Sequence, residues 1–405
     1  MGASREFDVI LYGASGFVGR QTVAYFAAHA GKLRWALAGR SADKLEAVRA
    51  AAGAKAAGLV VADAGDAAAL GALAARTRVV LSTAGPFARF GSGLVAACVG
   101  HGTHYVDITG ETPWVRDLID RHHADAARSG TRIVPCCGFD SIPSDLGAWL
   151  AARALMRDHG EQAVEVKAVF SLRGGLNGGT FASLVNALDQ GEAKRMDDPF
   201  LLNPAPPPGV DPAGHADPVG ARHDADFDAW LGPFFMGPVN TRVVRRSAAL
   251  AGTDAPYGAG LRYQEYLRFG RGPAAAFTAS GVAVGMAAAQ AAMRIGAVRQ
   301  LAGRLAPAPG EGPSEAVMDG GSFRCELIAR GASGATARAR VAGQGDPGNR
   351  ATTIFVCESA LALADDPGQL PGGPDRGGVL TPATALGAVL ARRLAAAGMS
   401  IEPLP

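Results

Sequence analysis

The chain has 405 residues, of which 48% are hydrophobic and 19% are charged. This length and composition predict two folded domains and exclude an intrinsically disordered protein. Lysine and arginine (39) nearly balance aspartate and glutamate (37), so the strongly basic surface of a nucleic-acid-binding protein is not expected. The five cysteines include no CxxC pair, which argues against a disulfide scaffold and a metal site and favours a reducing, cytoplasmic compartment.

Short apolar runs alternate with helix-length segments over the first 145 residues. Six of these runs are predicted as strands: Phe7–Tyr12, Arg34–Ala38, Gly58–Ala62, Arg78–Ser82, His104–Ile108 and Thr131–Pro135. Because the runs are apolar without alternation, helices are expected to cover both faces of a parallel sheet. The sequence therefore predicts an α/β, Rossmann-type doubly wound domain over residues 1–145.

The pattern changes after Asp145. Further strand-like runs predict a second, α+β domain over residues 146–375 with an antiparallel or mixed sheet: Ala163–Leu172, Phe323–Ala329, Ala335–Val341 and Thr352–Val356. Residues 199–233 are rich in proline and aspartate, and they are expected to form an excursion without regular secondary structure, as in a lid. The helix-like run Thr381–Ala397 is expected to pack residues 376–405 back on the first domain.

A glycine-rich turn joins the first predicted strand to the first predicted helix: Gly13-Ala14-Ser15-Gly16-Phe17-Val18-Gly19. Gly13 permits a tight turn, Gly16 lets the backbone approach a pyrophosphate, and Gly19 lets the helix pack against the strand. A plain tight turn is the alternative interpretation in a chain with 55 glycines. The position of this turn at the first strand-to-helix crossover of a six-strand unit favours dinucleotide binding.

The end of the second predicted strand indicates which dinucleotide is bound. An NAD enzyme would carry an acidic residue there to accept hydrogen bonds from the ribose 2′-hydroxyl. This chain instead has Arg40, followed by Ser41 and Lys44. A guanidinium and a hydroxyl suit a 2′-phosphate, whereas the alternative is a solvated arginine before an ordinary helix cap. NADP is therefore the predicted cofactor.

Two further strand ends are expected to approach the cofactor, because ligands of such folds lie outside the carboxyl ends of the strands. Asp63 ends the third strand and is predicted either to approach the adenine or to cap the next helix. Ala84, Gly85 and Pro86 end the fourth strand, where small residues would let the backbone pass the nicotinamide. A simple strand-to-loop turn is the alternative for these three residues.

Several longer stretches resemble a known family. Four of them are similar to the saccharopine dehydrogenase-like oxidoreductases: Gly13–Gly19, Leu37–Ser41, Ala84–Phe87 and Gly102–Asp107. Four others resemble one branch of that family, the bacterial trans-acting enoyl reductases: Thr109–Glu111, Cys137–Asp145 (CGFDSIPSD), Gly178–Thr180 and Gly377–Ala383. The resemblance covers nearly the whole chain. It implies an NADP-linked reductase that acts on an unsaturated acyl or polyketide chain.

Reduction of an enoyl thioester needs a hydride at the β-carbon, stabilisation of the enolate oxygen and a proton at the α-carbon. If the fifth and sixth strands end at the nicotinamide, Tyr105 could donate the proton, and Asp107 or Asp140 could orient it. The alternative is that Tyr105 packs in the core while Asp140, Ser141 and Ser144 cap the following helix.

Two other functions remain open at this stage. A saccharopine-type dehydrogenase acting on a secondary amine would need arginines to clamp carboxylates, and Arg89 and Arg173 are the candidates. A non-catalytic, membrane-associated NADPH-binding protein is the other alternative, because residues 274–293 carry no charge. That segment is predicted as a helix that packs on the second domain or, alternatively, makes peripheral contact with lipid or an acyl chain.

Overall fold

The structure is a computed structural model, and it describes residues 5–174, 193–252, 255–293, 295–296, 298 and 312–405. The stretch Gly178–Thr180 lies outside the described residues.

The described residues form fourteen strands and thirteen α-helices. The strands are β1 (Phe7–Tyr12), β2 (Trp35–Gly39), β3 (Gly58–Val61), β4 (Thr77–Ser82), β5 (His104–Asp107), β6 (Arg132–Val134), β7 (Ala163–Arg173), β8 (Arg222–Asp224), β9 (Ala229–Pro233), β10 (Tyr257–Gly270), β11 (Ser322–Arg330), β12 (Thr336–Gln344), β13 (Gly378–Val379) and β14 (Ser400–Leu404). The helices are α1 (Phe17–His29), α2 (Ala42–Ala51), α3 (Ala67–Ala75), α4 (Phe87–Phe90), α5 (Ser92–His101), α6 (Thr112–Arg128), α7 (Ile142–His159), α8 (Ala193–Met196), α9 (Gly237–Leu250), α10 (Gly272–Met293), α11 (Glu315–Asp319), α12 (Thr352–Asp365) and α13 (Pro382–Ala396).

The first sheet is parallel throughout, in the order β13-β6-β5-β4-β1-β2-β3. Every residue of β1 and β2 is buried, as expected for strands covered by helices on both faces. A Cβ at Gly19 would lie 2.1 Å from the Gly13 carbonyl oxygen, so only glycine lets α1 pack this closely against the turn. The order 3-2-1-4-5-6 of the first six strands confirms the predicted Rossmann-type fold.

The second sheet is mixed, in the order β14-β12-β11-β7-β10-β9-β8. Strands β7 and β10 are parallel, and the other neighbours are antiparallel. Helix α7 packs against β7, β11 and β12, while α9 packs against β10. The prediction of an α/β chain whose second part has an antiparallel or mixed sheet is therefore confirmed.

Two predictions of secondary structure in this second part are wrong. Residues Thr352–Val356 begin α12 instead of forming a strand, and nearly every residue of α12 is buried. A helix buried on all sides shows no 3.6-residue period, so its β-branched start resembles a buried strand. Residues 199–233 also contain regular structure, because β8, β9 and a short 3₁₀ turn at Pro212–His215 lie within them.

Buried arginines of α9 hold this excursion in place. Arg242, Arg245 and Arg246 are each at most 2% exposed. They donate hydrogen bonds to carbonyl oxygens of the excursion and of the residues just before it, including Met196 at 2.8 Å and Pro199 at 2.9 Å. Guanidinium groups that donate to several backbone oxygens satisfy polar groups that burial would otherwise penalise.

The C-terminal residues contribute to both sheets. Strand β13 pairs with β6 at Gly378 and Arg132, at the edge of the parallel sheet. Strand β14 pairs with β12 at Glu402 and Arg340, at the edge of the mixed sheet. The division of the chain into domains 1–145 and 146–375 stays a prediction.

Candidate active site at the carboxyl edge of the parallel sheet

The glycine-rich turn leaves the start of α1 open to a ligand. Gly13 has φ +85°, and a Cβ there would lie 2.9 Å from the Ala84 nitrogen. Gly16 is the N-cap of α1, with no side-chain cap and no acidic residue in the first turn. The free N–H groups and the positive end of the helix dipole therefore face the turn, an arrangement that suits a pyrophosphate. Ala14 and Val18 are buried, so these residues could offer only their backbone.

Arg40 is exposed at the end of β2, and among the described residues it makes no ion pair. Ser41 caps α2 by accepting a hydrogen bond from the Lys44 nitrogen at 3.4 Å, and the Lys44 side chain is exposed. The Tyr12 ring lies in the field of both Arg40 and Asp63, although burial is the main reason why the pKa of Tyr12 is raised to about 12. Two exposed cations therefore stand where a 2′-phosphate is expected.

Asp63 does not cap the next helix. Its carboxylate accepts a hydrogen bond from the Gly65 nitrogen at 2.8 Å, while the N-cap of α3 is Asp66, which accepts from the Ala69 nitrogen at 3.0 Å. The exposed Asp63 carboxylate is thus held at the end of β3, on the side of the sheet where the adenine is expected.

A residue missed by sequence reasoning, Glu111, holds the loop that follows β4. Its buried carboxylate accepts hydrogen bonds from the Phe87 and Ala88 nitrogens, both at 2.8 Å. These are the first N–H groups of α4, directly after Ala84-Gly85-Pro86. Glu111 therefore fixes the loop that is expected to pass the nicotinamide. The only signal in the sequence was its place in the stretch Thr109–Glu111.

Tyr105 and Asp107 are both fully buried at the end of β5. One oxygen of Asp107 accepts hydrogen bonds from the Thr109 nitrogen at 3.0 Å and the Cys136 nitrogen at 3.1 Å. The other oxygen of Asp107 and the Tyr105 hydroxyl lie near each other, but among the described residues neither makes a hydrogen bond of normal geometry. Burial raises the pKa of Asp107 to about 7. Burial and the nearby Asp107 charge raise the pKa of Tyr105 well above its usual value.

Asp140 differs from these two residues because it is only partly buried. Burial raises the pKa of Asp140 to about 6. A Cβ at Gly110 would lie 3.7 Å from Met236, 3.8 Å from Val239 and 3.9 Å from Asp140 Oδ2. The Asp140 carboxyl, Met236 and Val239 therefore all lie around Gly110, in the loop that follows β5.

The capping roles considered for this motif do not occur. Ser141 stands at the N-cap of α7 without a side-chain cap, and its hydroxyl donates to Asn240 at 3.2 Å. Asn240 donates to Glu265 at 2.7 Å, and the Ser144 hydroxyl donates to the other Glu265 oxygen at 2.8 Å. Burial raises the pKa of Glu265 to about 8. This network, also missed by sequence reasoning, fixes the backbone beside Asp140.

The family model for the saccharopine dehydrogenase NADP-binding domain matches residues 9–134. A Mycobacterium tuberculosis protein, provisionally named a trans-acting enoyl reductase, is 41% identical over 414 residues, with 98% of this chain and 97% of the relative covered. A Mycobacterium ulcerans protein named trans-acting enoyl reductase is 39% identical over 422 residues, with 99% and 98% covered.

Among solved structures, apo saccharopine dehydrogenase (L-Glu forming) from Saccharomyces cerevisiae has the same fold. It matches with a TM-score of 0.51 at 13% identity, and the match covers 98% of this chain and 99% of the yeast chain. The family model describes an NADP-binding domain, which confirms the cofactor predicted from the sequence. The uncapped start of α1 and the exposed Arg40 fit that cofactor.

Proposed function

The chain belongs to the saccharopine dehydrogenase-like family, in the branch of the trans-acting enoyl reductases, and we propose that it reduces a carbon–carbon double bond of an unsaturated acyl or polyketide chain. That it is an NADP-dependent oxidoreductase follows from the family. The proposed substrate class rests on one observation, the surroundings of Asp140. Its carboxyl group is partly accessible, has a raised pKa and lies with Met236 and Val239 around Gly110. It belongs to the edge of the parallel sheet that also bears the cofactor turn. This combination offers a proton next to an apolar chain.

We propose that the residues at this edge hold NADP in four places. The turn Gly13–Gly19 holds the pyrophosphate, and Arg40, Ser41 and Lys44 bind the 2′-phosphate. Asp63 lies at the adenine side, and Ala84, Gly85 and Pro86 lie at the nicotinamide side. When bound, the cofactor supplies the hydride.

Asp140 is the proposed proton donor. After the β-carbon has been reduced, the Asp140 carboxyl transfers its proton to the α-carbon of the substrate and is left as a carboxylate, which solvent then reprotonates. A pKa of about 6 keeps part of the population protonated near neutral pH.

Tyr105 and Asp107 are proposed as positioning residues, because their full burial keeps them from touching the substrate. Asp107 joins the loops that follow β5 and β6 through the Thr109 and Cys136 N–H groups. Asp140 belongs to the loop that follows β6 and lies close to Gly110 of the loop that follows β5. Tyr105 lies beneath them in the core of the parallel sheet.

Dehydrogenation of a secondary amine remains the alternative reaction. Arg89 is exposed with its guanidinium 5.1 Å from the Phe90 ring centroid, and Arg173 is also exposed. The apolar side chains of Met236 and Val239, which lie with Asp140 around Gly110, favour an apolar substrate instead. The test compares NADPH oxidation with unsaturated acyl thioesters against oxidation with pairs of an amino acid and a keto acid. Turnover of the thioesters alone supports the proposal, and turnover of the pairs alone contradicts it.

We also propose that the enzyme is cytoplasmic and contacts lipid through α10. This helix has 22 residues and no charge, and among the described residues it is the one long and apolar enough to cross a membrane. Only Ala275, Ala279 and Ala283 of the helix are buried, while Phe277 is 83% exposed and Val284 is 70% exposed. An apolar surface of this kind suits shallow insertion between lipid headgroups.

Electrostatic attraction to anionic lipid is not part of this proposal. The three arginines nearest before α10 pair with acidic residues: Arg262 with Glu165, Arg268 with Glu326 and Arg271 with Asp228. The arginines that follow α10 in the sequence, Arg294, Arg299 and Arg304, lie outside the described residues. Co-sedimentation with neutral and anionic vesicles tests lipid contact. We expect equal binding to both vesicle types and loss of binding in Val284→Asp, with NADPH affinity unchanged. If the protein sediments with neither the neutral nor the anionic vesicles, the proposed lipid contact is contradicted.

A further inference from the structure

The backbone, and not a side-chain contact, sets the position of the proposed proton donor. Among the described residues, the Asp140 carboxyl makes no hydrogen bond and no ion pair. A side chain without such contacts follows the backbone that carries it. The groups that hold residues 136–140, here called the donor loop, therefore decide where this carboxyl lies.

Two side chains outside the donor loop accept hydrogen bonds from its backbone. Asp107 at the end of β5 accepts from the Cys136 nitrogen at 3.1 Å. Thr352 at the start of α12 accepts from the Phe139 nitrogen at 3.0 Å. Phe139 directly precedes Asp140, and consecutive Cα atoms are about 3.8 Å apart. Of these two anchors, Thr352 is thus the one whose contact lies next to the proton donor in the chain.

The Thr352 hydroxyl is itself held in one orientation. It has a single proton, which it donates to the Pro347 carbonyl oxygen at 3.0 Å, so a lone pair remains for the Phe139 N–H. The Thr352 methyl group also packs on the donor loop, since a Cβ at Gly138 would lie 3.4 Å from it. Thr352 is only 5% exposed, so water does not readily replace its hydroxyl. The residue therefore holds the loop by both a hydrogen bond and a packing contact.

Helix α12 and the turn before it also contact the helix that follows the cofactor turn. Glu358 of α12 accepts a hydrogen bond from the Tyr25 hydroxyl of α1 at 2.6 Å. Arg350, two residues before Thr352, donates to Gln21 of α1 at 3.1 Å. Nearly every residue of α12 is buried, and closely packed interiors transmit displacements instead of absorbing them. The start of α12 therefore links the donor loop to α1.

We propose that Thr352 is a positioning residue, which acts through Asp140 by holding the donor loop at a fixed place relative to the cofactor. The inference rests on the proposed function, because that function assigns the proton donor. Misplacement of a reacting group by about 1 Å can lower a rate about 10²-fold. Loss of the Thr352 hydroxyl leaves the Phe139 N–H without its acceptor and lets the neighbouring carboxyl group shift.

The adjacent threonine provides a matched control. Thr353 is 4% exposed, and its hydroxyl makes no hydrogen bond in the described part of the chain. Thr352→Val and Thr352→Ala remove the anchoring hydroxyl, Thr352→Ser keeps it, and Thr353→Val removes the hydroxyl without a partner. We expect about 10–100-fold lower kcat in Thr352→Val and Thr352→Ala, with the KM of the enoyl thioester and the Kd of NADPH unchanged. Thr352→Ser and Thr353→Val should keep wild-type kinetics.

A double-mutant cycle shows whether Thr352 acts through Asp140. If it does, Thr352→Val causes no further loss of kcat when it is added to Asp140→Asn. A further loss in that background would show that Thr352 acts independently of Asp140, and the inference would be overturned. Wild-type kcat in both Thr352→Val and Thr352→Ala would overturn it as well.

Amide hydrogen exchange, followed by mass spectrometry, tests the hold on the donor loop without turnover. We expect peptides that contain residues 136–140 to exchange faster in Thr352→Val and Thr352→Ala than in the wild type and Thr353→Val. Peptides distant from this loop should exchange as in the wild type, which shows that the variants are folded.

The exchange measurement separates failure of this inference from failure of the proposed function. If the wild type reduces no enoyl thioester, or Asp140→Asn keeps the wild-type kcat, the proposed function is contradicted. Faster exchange then still supports the hold of Thr352 on the loop, and unchanged exchange overturns it. Loss of kcat in Asp140→Asn, together with wild-type kcat and exchange in both hydroxyl-free Thr352 variants, contradicts the inference and leaves the proposed proton donor in place.

Discussion

The Asp145 carboxylate accepts a hydrogen bond from the Ala383 nitrogen at 2.7 Å, although 238 positions separate the two residues. Its second oxygen accepts a hydrogen bond from the Ser247 hydroxyl. Ser247 also bonds to Thr381, which caps α13 in a capping box with Thr384. The stretches Cys137–Asp145 and Gly377–Ala383, which carried the family resemblance in the sequence, therefore meet in space at the start of α13.

The first prediction follows from this contact. Replacing the fully buried Asp145 by alanine leaves the Ala383 N–H without its acceptor, while the Ser247 hydroxyl keeps only its bond to Thr381. We expect the free energy of unfolding to fall by about 1–3 kcal/mol, the cost of a buried donor left without a partner. Urea unfolding measures it. The control is Asp211→Ala, which removes an exposed carboxylate that accepts one hydrogen bond, from Ala213, and should cost less than about 1 kcal/mol. Equal losses in the two variants would contradict the role of Asp145.

The second prediction concerns the pH dependence of stability. The pKa of Glu265 is raised to about 8 by burial, so the folded protein holds its proton more tightly than the unfolded chain. The resulting stability is fully present below the unfolded pKa, near 4, and is lost as the pH rises through about 8. We expect the Tm to fall over this window, and to fall less steeply in Glu265→Gln. A glutamine fits the network if the Asn240 amide turns over, because Asn240 can then accept from it.

The variant is compared with Glu326→Gln, which changes a carboxyl group of the same sheet that is paired with Arg268 at 3.0 Å. Thermal unfolding is followed at several pH values for both variants. If the slope of Tm against pH is the same in Glu265→Gln and in the wild type, Glu265 is not the group that causes the pH dependence.

Much of the first sheet could be predicted because its strands are mainly apolar and recur between helices. The bounds of β1 agree with the predicted run Phe7–Tyr12, and β6 differs from its run by one residue at each end. Strand β10 was missed because its inward positions Leu261, Tyr263 and Glu265 include a charged residue. Alternation of apolar and polar residues is the signal for such a strand, and the buried Glu265 interrupts it.

Some features of the candidate site could likewise be predicted from the sequence, and others could not. The carboxyl ends of parallel strands must meet at one edge, so the location of Gly13, Arg40 and Asp140 could be predicted from strand order alone. The burial of Tyr105 and the surroundings of Asp140 depend on distant residues of α9, Val243 in the core around Tyr105 and Val239 near Asp140, and such contacts have no local signal in the sequence. Glu111 was missed for a similar reason, because its partners are N–H groups more than twenty positions away.

The third prediction concerns the cofactor. Arg40→Glu places a negative charge beside the 2′-phosphate, so we expect NADPH to bind about 10–100-fold more weakly while NADH binding changes little. Fluorescence titration of both nucleotides measures the two affinities. Lys32→Glu makes a comparable change of charge at an exposed residue before β2, at the opposite end of that strand, and should leave both affinities unchanged. An equal loss for NADPH and NADH would show that Arg40 does not contact the 2′-phosphate.

The last prediction concerns the proposed proton donor. Because the pKa of Asp140 is raised to about 6 and the protonated carboxyl is the active form, kcat should fall as the pH rises through that value. Asp140→Asn keeps the shape of the side chain but has no transferable proton. We expect it to lower kcat about 10²–10⁴-fold, to remove this pH dependence and to leave the Kd of NADPH unchanged. Asp120→Asn, an exposed carboxylate of α6 paired with Arg116, serves as the control and should retain wild-type kinetics. A pH profile in Asp140→Asn with the same inflection as the wild type would assign the proton to another group.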